Sequence, residues 1–249
     1  MIVSEVMTTK LVTVRPDDTL GHAANLLRQY QFHHLPVVRT VPVPGTVKTK
    51  PPVLLLEGLL TSQDIDLAVA LNEQDASSSD PHRSWQERRV RDVMHPASIR
   101  VTSTTSIAAA AQMLVERGLN CLPVVEYDDA EQHEPGTEQE VRALLVGLLT
   151  RSDLLIALAR ATGAYEPGMQ LSLPLQQDDL TPLIRLLQLA MELHIPVRSL
   201  IAAPLTTSAP RAVTLRLGTI HPAHLLLRLQ QEQIPYAFVD QAVGGETHV

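Results

Sequence analysis

The phrase GLLTSQDI at residues 58 to 65 returns as GLLTRSDL at 147 to 154. A phrase that occurs twice confines the chain to folds that can be assembled from two like units. The likeness continues upstream: EVMTTKLVTVRPDDTL (5 to 20) aligns with DVMHPASIRVTSTTSI (92 to 107), and HHLPVV (33 to 38) aligns with NCLPVV (120 to 125). The leading part of the chain is a tandem duplication.

Each copy reads in the same order. A V-M segment leads to an alternating strand, Val12 and Val14 or Ile99 and Val101, and a turn with helix-start residues follows at Asp17-Asp18-Thr19 or Thr104-Thr105-Ser106. Leu20, Ala23, Ala24 and Leu27, like Ile107, Ala110, Ala111 and Leu114, recur at i, i+3, i+4, i+7 and predict a helix with one buried face. Two apolar strands come next, LPVV and VLLLEGLL in the first copy, CLPVV and VRALLVGLL in the second, and a second helix opens at Thr61 or Thr150. The unit is β-α-β-β-α. Between its two apolar strands each copy carries an insertion of loop composition, RTVPVPGTVKTKPP or the acidic EYDDAEQHEPGTEQE, expected to protrude as a mobile hairpin connection. The stretch NEQDASSSDPHRSWQER reads as a flexible linker with Trp85 as an anchor, which sets the first copy at 1–72, the linker at 73–89 and the second copy at 90–163.

Composition narrows the function classes. A hydrophobic content of 45% over 249 residues is ample for packed cores. The absence of a long apolar run and of a basic, then apolar, leader predicts a soluble cytoplasmic protein without a membrane partner. The formal charge of −7 argues against the broad basic surface that nucleic acid demands. Cys121 is the only cysteine, so an intrachain disulfide or a cysteine-based zinc site is excluded; inside CLPVV it reads as a small buried residue rather than a nucleophile.

Thr61 and Asp64, and again Thr150 and Asp153, stand where a capping box closes a helix N-terminus. The acid is Asp in both copies, although Glu reaches back more easily, and the residues between are polar: Ser62 and Gln63, then Arg151 and Ser152. A helix N-terminus with a hydroxyl suits a phosphate, Arg151 adds charge there, and a carboxylate one turn on can accept from two vicinal hydroxyls of a ribose. Phosphate and ribose together mean a nucleotide.

The order V-M-T, V-x-V, h-P-V-V and G-h-h-T-x-x-D, duplicated in tandem over about residues 1 to 163, resembles a pair of CBS domains, the regulatory module that binds adenosine-type ligands in a cleft between two copies. The resemblance implies that Thr61 and Thr150 meet phosphate and that Asp64 and Asp153 meet the ribose hydroxyls. It further implies that Gln63 and Ser152 add polar contacts and that the base lies near Val12 to Val14 or Ile99 to Val101. In that pattern the residues before L-P-V-V face the phosphates, which assigns His33 and His34 to the first site, with a pH-dependent charge. Asn120 and Cys121 stand there in the second, without positive charge, leaving Arg151 to compensate. The two sites are expected to differ in affinity, one being empty or preferring a nucleoside. No metal site is expected: His33 and His34 point to opposite faces of a strand, and the pair in HPAH (221 to 224) lacks further ligands.

After Gly163 the pattern changes. MQLSLPL reads as a strand, and Asp178-Asp179 starts a helix with Leu183, Leu186, Leu187, Ala190 and Leu193 on one face, ended by His194-Ile195-Pro196. VRSLIAAPL and RAVTLRLG read as strands separated by TTSAP, HPAHLLLRLQQEQ as a helix and PYAFVD as a last strand. This βαββαβ order is that of a ferredoxin-like domain. Residues 168–240 resemble an ACT domain, and the whole resembles the acetoin-utilization AcuB-like proteins, so the fold class is α+β: two CBS units, then an ACT-like domain. The turn QQDDLTP lacks the glycine common in amino-acid-binding ACT domains, which favours an interaction or dimerisation role; GGETHV, within 241–249, reads as a disordered tail.

The sequence therefore predicts a non-catalytic sensor with no required cofactor. Its regulatory ligand would be an adenosine nucleotide (AMP, ADP or ATP), S-adenosylmethionine or a dinucleotide, and its assembly a homodimer that relays the bound state through the ACT-like domain or to a regulated protein partner. Two alternatives stand beside it: a structural dimerisation scaffold without ligand, and a nucleotide hydrolase using Asp64 or Asp153. The second finds no Ser-His-Asp set, P-loop, HExxH or catalytic carboxylate pair to work with.

Overall fold

The computed structural model describes residues 1–41, 53–75, 84–127, 142–175, 179–202 and 212–238. Most of the two insertions, the centre of the linker, the start of QQDDLTP, TTSAP and the tail GGETHV lie outside the described residues. The chain divides into two compact units, Met1–Leu154 and Leu155–Val249.

In the first repeat, α1 (Leu20–Tyr30) leads to β1 (His34–Val41), β2 (Val53–Thr61) and α2 (Ser62–Asp75). The second repeat has β3 (His95–Pro96), β4 (Val101–Thr102), α3 (Ile107–Glu116), β5 (Cys121–Tyr127), β6 (Ala143–Thr150) and α4 (Arg151–Ala161). The predicted caps form: Thr19 Oγ1 accepts from the His22 amide and Ser106 Oγ from the Ala109 amide. Leu20, Ala23 and Leu27, and equally Ala110 and Leu114, are buried on the expected faces.

One predicted element shrinks. The first strand is a single parallel bridge, Val14 to Val37, in repeat 1 and the two-residue β4 beside β5 in repeat 2. Val14 donates to the Pro36 carbonyl and accepts from the Val38 amide. Extending the ladder back to Val12 needs an amide hydrogen from Pro36, which proline lacks; Pro123 sets the same limit before Val101.

The strands join into one sheet in the order β1-β2-β6-β5-β4, with β3 on β2, and Leu55 pairs antiparallel with Leu144 where the two repeats meet. Both hairpins shift register at the same place, between Val37 and Val38 and between Val124 and Val125. Val38, Leu56, Val125, Ala143 and Leu145 form a core shared by the repeats.

The leading segments are exchanged. Val3 is fully buried among Val101, Ala110, Leu114 and Leu122 of the second repeat, and its amide donates to the Thr105 carbonyl. Val90 is fully buried among Leu20, Leu27 and Leu35 of the first repeat, where Trp85 also packs, and its amide donates to the Asp18 carbonyl. Each V-M segment thus packs on the repeat other than the one it opens, tying the two copies into one compact unit.

In the second unit, β7 (Met169–Pro174), α5 (Thr181–Glu192), β8 (Val197–Ile201), β9 (Ala212–Leu217), α6 (Ala223–Gln231) and β10 (Ala237–Phe238) follow in order. The sheet runs β10-β7-β9-β8 with every neighbour antiparallel, the ferredoxin-like arrangement. Leu171, Leu173, Val213, Leu215 and Leu217 pack against Leu186, Leu189, Ala190, Leu225 and Leu229 of the two helices, and Arg185 of α5 pairs with Glu232 just after α6.

Candidate functional site

Thr61 and Thr150 are the last residues of β2 and β6, and the helices α2 and α4 begin at the next residue. The strand is extended and the helix begins at once, so the threonine becomes the N-cap and the aspartate three residues on reaches back to it. In repeat 1, Asp64 Oδ2 accepts from the Thr61 amide (2.7 Å) and the Thr61 hydroxyl (2.8 Å), and Thr61 Oγ1 accepts from the Asp64 amide (3.2 Å). In repeat 2 the same three bonds measure 2.8, 2.7 and 3.1 Å. Each carboxylate therefore keeps Oδ1 outside its own cap.

Oδ1 is met by the exchanged segment of the other repeat. His95 Nε2 lies 2.7 Å from Asp64 Oδ1; an ionised carboxylate only accepts, so Nε2 carries the hydrogen. At the matching place in repeat 2 the Thr8 hydroxyl donates to Asp153 Oδ1 at 3.4 Å. Asp64 is 8% exposed and Asp153 is half-buried. The crossing is close: β3 pairs with Gly58 and Leu59 of β2, and a Cβ on Gly58 would lie 2.6 Å from the His95 carbonyl oxygen. In repeat 2 Thr8 bridges to Leu148, and a Cβ on Gly147 would lie 2.5 Å from Met7 Sδ. The glycine that opens GLLT in both copies is where the backbone of one repeat passes under the other.

The remaining predicted residues divide. His34 pairs with Thr61 at the start of β1 and is half-buried, and burial, with His33 beside it, holds its imidazole below the ordinary value against the opposing pull of Asp64. His33 is exposed, and its carbonyl accepts from the Ser62 amide, while the Asn120 carbonyl accepts likewise from the Arg151 amide. Cys121 pairs with Thr150 and is buried, which pushes its thiol up to about 12. Gln63 and Ser152 are exposed. The Arg151 guanidinium donates to the Leu114 carbonyl at the end of α3 instead of turning to Thr150. His221 lies before α6 and His224 inside it. Among the described residues there is no cluster of three His, Cys, Asp or Glu side chains placed to hold a metal ion, and no helix long and apolar enough to cross a membrane.

Thr8 and His95 escaped the sequence reading, although both follow the repeated V-M directly. The recurring glycine was the signal available: a glycine kept inside a strand marks a close backbone approach.

The CBS domain family model matches residues 3–70 and 90–160. The chain is 24% identical over 154 residues to the CBS domain-containing protein YhcV of Bacillus subtilis, covering 62% of this chain and 83% of that protein. Among solved structures it is similar to CBSX2 in complex with AMP, at 23% identity and a TM-score of 0.44 over 63% of this chain and 95% of the other. It is similar also to a Vibrio cholerae protein described as acetoin utilization protein AcuB, at 24% identity and a TM-score of 0.43 over 67% and 98%. The two stretches matched by the family model take in more than half of the chain, and the protein belongs to the CBS domain family, with two copies in tandem.

Proposed function

We propose that the protein is a regulatory ligand sensor that binds adenosine-type molecules at the Thr61–Asp64 and Thr150–Asp153 helix starts and performs no chemistry on them. The observation that carries this reading is the repeated carboxylate. Asp64 and Asp153 are locked by their own caps in one orientation, and each presents its other oxygen toward the segment crossing from the opposite repeat. A rigid acceptor at a helix start suits vicinal hydroxyls, and the N-terminal end of the helix suits a phosphate. Histidines 33 and 34 flank the first helix start and add positive charge toward phosphates when protonated. A ligand that spans the crossing segments binds one arrangement of the repeats better than another, and this difference is the signal. In the same reading the ferredoxin-like unit is ACT-like and relays or dimerises, and the protein works as a homodimer.

Thermal unfolding of the full chain against AMP, ADP, ATP, adenosine and S-adenosylmethionine tests the reading, repeated with Asp64→Ala and Asp153→Ala. A ligand at a hundred times its Kd adds about 2.7 kcal/mol of stability. A shift with one ligand, lost in one variant that still folds, is the expected result. No shift with any of the five would turn the assignment to a scaffold, and turnover of bound ATP to a hydrolase.

A further inference from the structure

We infer, resting on the nucleotide reading above, that His95 sets the difference between the two ligand sites by competing with the ligand for Asp64. A carboxylate recognises a ribose by accepting from its hydroxyls, and in both repeats Oδ2 is already committed to a threonine amide and hydroxyl. Oδ1 is the remaining acceptor. In repeat 1 it is held by His95 at 2.7 Å, on a carboxylate only 8% exposed. In repeat 2 the occupant is the Thr8 hydroxyl at 3.4 Å, the far edge of hydrogen bonding, on a half-buried carboxylate. Sequence position makes the two occupants equivalent, since each directly follows its repeated V-M.

The competing group is exposed and its mount is paired into the sheet. The backbone of His95 pairs with Leu59 of β2 and lies against Gly58, whereas the His95 side chain is 69% exposed. The imidazole can swing off Asp64 without disturbing β3. Oδ1 has two acceptor sites, so a nucleoside that donates both vicinal hydroxyls to it in repeat 1 must displace the imidazole, whereas in repeat 2 it displaces a longer and weaker contact. A single residue, contributed across the repeat boundary, therefore ranks the sites, with the Asp153 site the tighter.

Isothermal titration of adenosine into single-site forms of the full chain tests this, adenosine being chosen because it has the diol without a phosphate for the histidines to attract. Asp153→Ala leaves the first site and Asp64→Ala the second, each confirmed folded by circular dichroism. Adding His95→Thr to Asp153→Ala should tighten adenosine about twofold to fivefold, the range for a contact with one partner open to water. Adding Thr8→His to Asp64→Ala should weaken it by a similar factor. His95→Ala must tighten binding in the same direction as His95→Thr, which separates removal of the competitor from any contact made by the new hydroxyl. Weaker or unchanged binding on losing His95 overturns the competition and, if weaker, makes His95 a direct ligand contact. If the unsubstituted protein binds none of adenosine, AMP, ADP, ATP and S-adenosylmethionine, the nucleotide reading itself falls, an outcome distinct from binding that ignores residue 95; if it binds one of the others but not adenosine, that ligand replaces adenosine in the same titrations.

Discussion

The two crossing points are built from the same backbone and differ in their chemistry. In repeat 1 the segment passing over the strand is a histidine backbone against Gly58, and the carboxylate beneath is buried and bonded to an imidazole. In repeat 2 a methionine side chain covers Gly147, the carboxylate is half-buried, and a hydroxyl stands at the limit of reach. The six cap hydrogen bonds agree between the copies to within 0.1 Å. Duplication has kept what the helix start requires and released what lies on the far side of the carboxylate. At the two crossings the differing residues, His95 and Thr8, are ones that touch the other repeat.

The sharpest way to break this comparison is to place a methyl at each crossing. Gly58→Ala puts a carbon 2.6 Å from a backbone oxygen held by strand pairing, whereas Gly147→Ala meets the flexible end of Met7 at 2.5 Å, with the Thr8 carbonyl farther off at 3.3 Å. Overpacking costs about 1–3 kcal/mol, the upper end where the backbone must move. Gly58→Ala should lose about 3 kcal/mol and Gly147→Ala about 1 kcal/mol in urea denaturation. Equal losses would show that the two crossings are equally stiff and that the asymmetry stops at the side chains.

Much of this was legible in the sequence because the repeat supplied its own internal control. The helices at Leu20 and Ile107, the paired apolar strands and the Thr-Asp caps each appeared twice, so each copy checked the reading of the other. The ferredoxin-like unit was legible for another reason: its alternating strands and amphipathic helices, with Leu186 and Ala190 on the buried face of α5, carry unambiguous periods. What stayed hidden was long-range. Nothing local to Val3 says that it packs with Leu114, or that Val90 packs with Leu35, because the exchange of segments is decided by tertiary packing. His95 was invisible for the same cause: its partner Asp64 is distant in sequence, and neither residue alone departs from an ordinary surface or cap reading. The first strand was overestimated because its apolar alternation is real while its ladder is cut short by the prolines of the neighbouring strand.

A smaller effect separates the repeats by pH. His34 and Cys121 occupy the same register, opposite Thr61 and Thr150. Burial first, then His33, holds the His34 imidazole below its ordinary value of 6.5, with Asp64 pulling the other way. Below pH 6.5 the unfolded chain therefore binds this proton more readily than the folded one. The contribution of His34 is fully present above pH 6.5 and is lost as the pH falls through the depressed folded value. The Cys121 thiol, pushed up to about 12, takes up no proton anywhere in that range. Comparing urea denaturation of the protein and of His34→Cys at pH 7.5 and at steps below 6.5 isolates the difference, since the substitution makes repeat 1 match repeat 2. The variant should lose less stability on acidification. An unchanged slope would assign the acid sensitivity to other groups and leave the two strand starts electrostatically alike.

The smallest effect concerns how the first helix of each repeat stops. α1 ends on Gln31 at φ +55°, with the Phe32 amide donating to the Leu27 carbonyl, and α3 is followed by Gly118 at φ +63°, with the Leu119 amide donating to the Leu114 carbonyl. Both are left-handed closures of one kind, but only repeat 2 uses the residue that adopts this conformation without crowding a Cβ. A side chain there costs about 1–2 kcal/mol, offset in part by the roughly 0.5–1 kcal/mol of extra chain entropy that glycine gives up on folding. Gln31→Gly should therefore stabilise the protein by about 0.5–1 kcal/mol, and Gly118→Gln should destabilise it by a similar amount. No heavy atom lies within 4 Å of a Cβ built on Gly118, so the second change measures the backbone term without a clash. Equal and opposite shifts in thermal unfolding would make the two helix ends interchangeable. A smaller gain at Gln31 would mean that its side chain returns part of the backbone cost through contacts, and that repeat 1 is adapted at this end too.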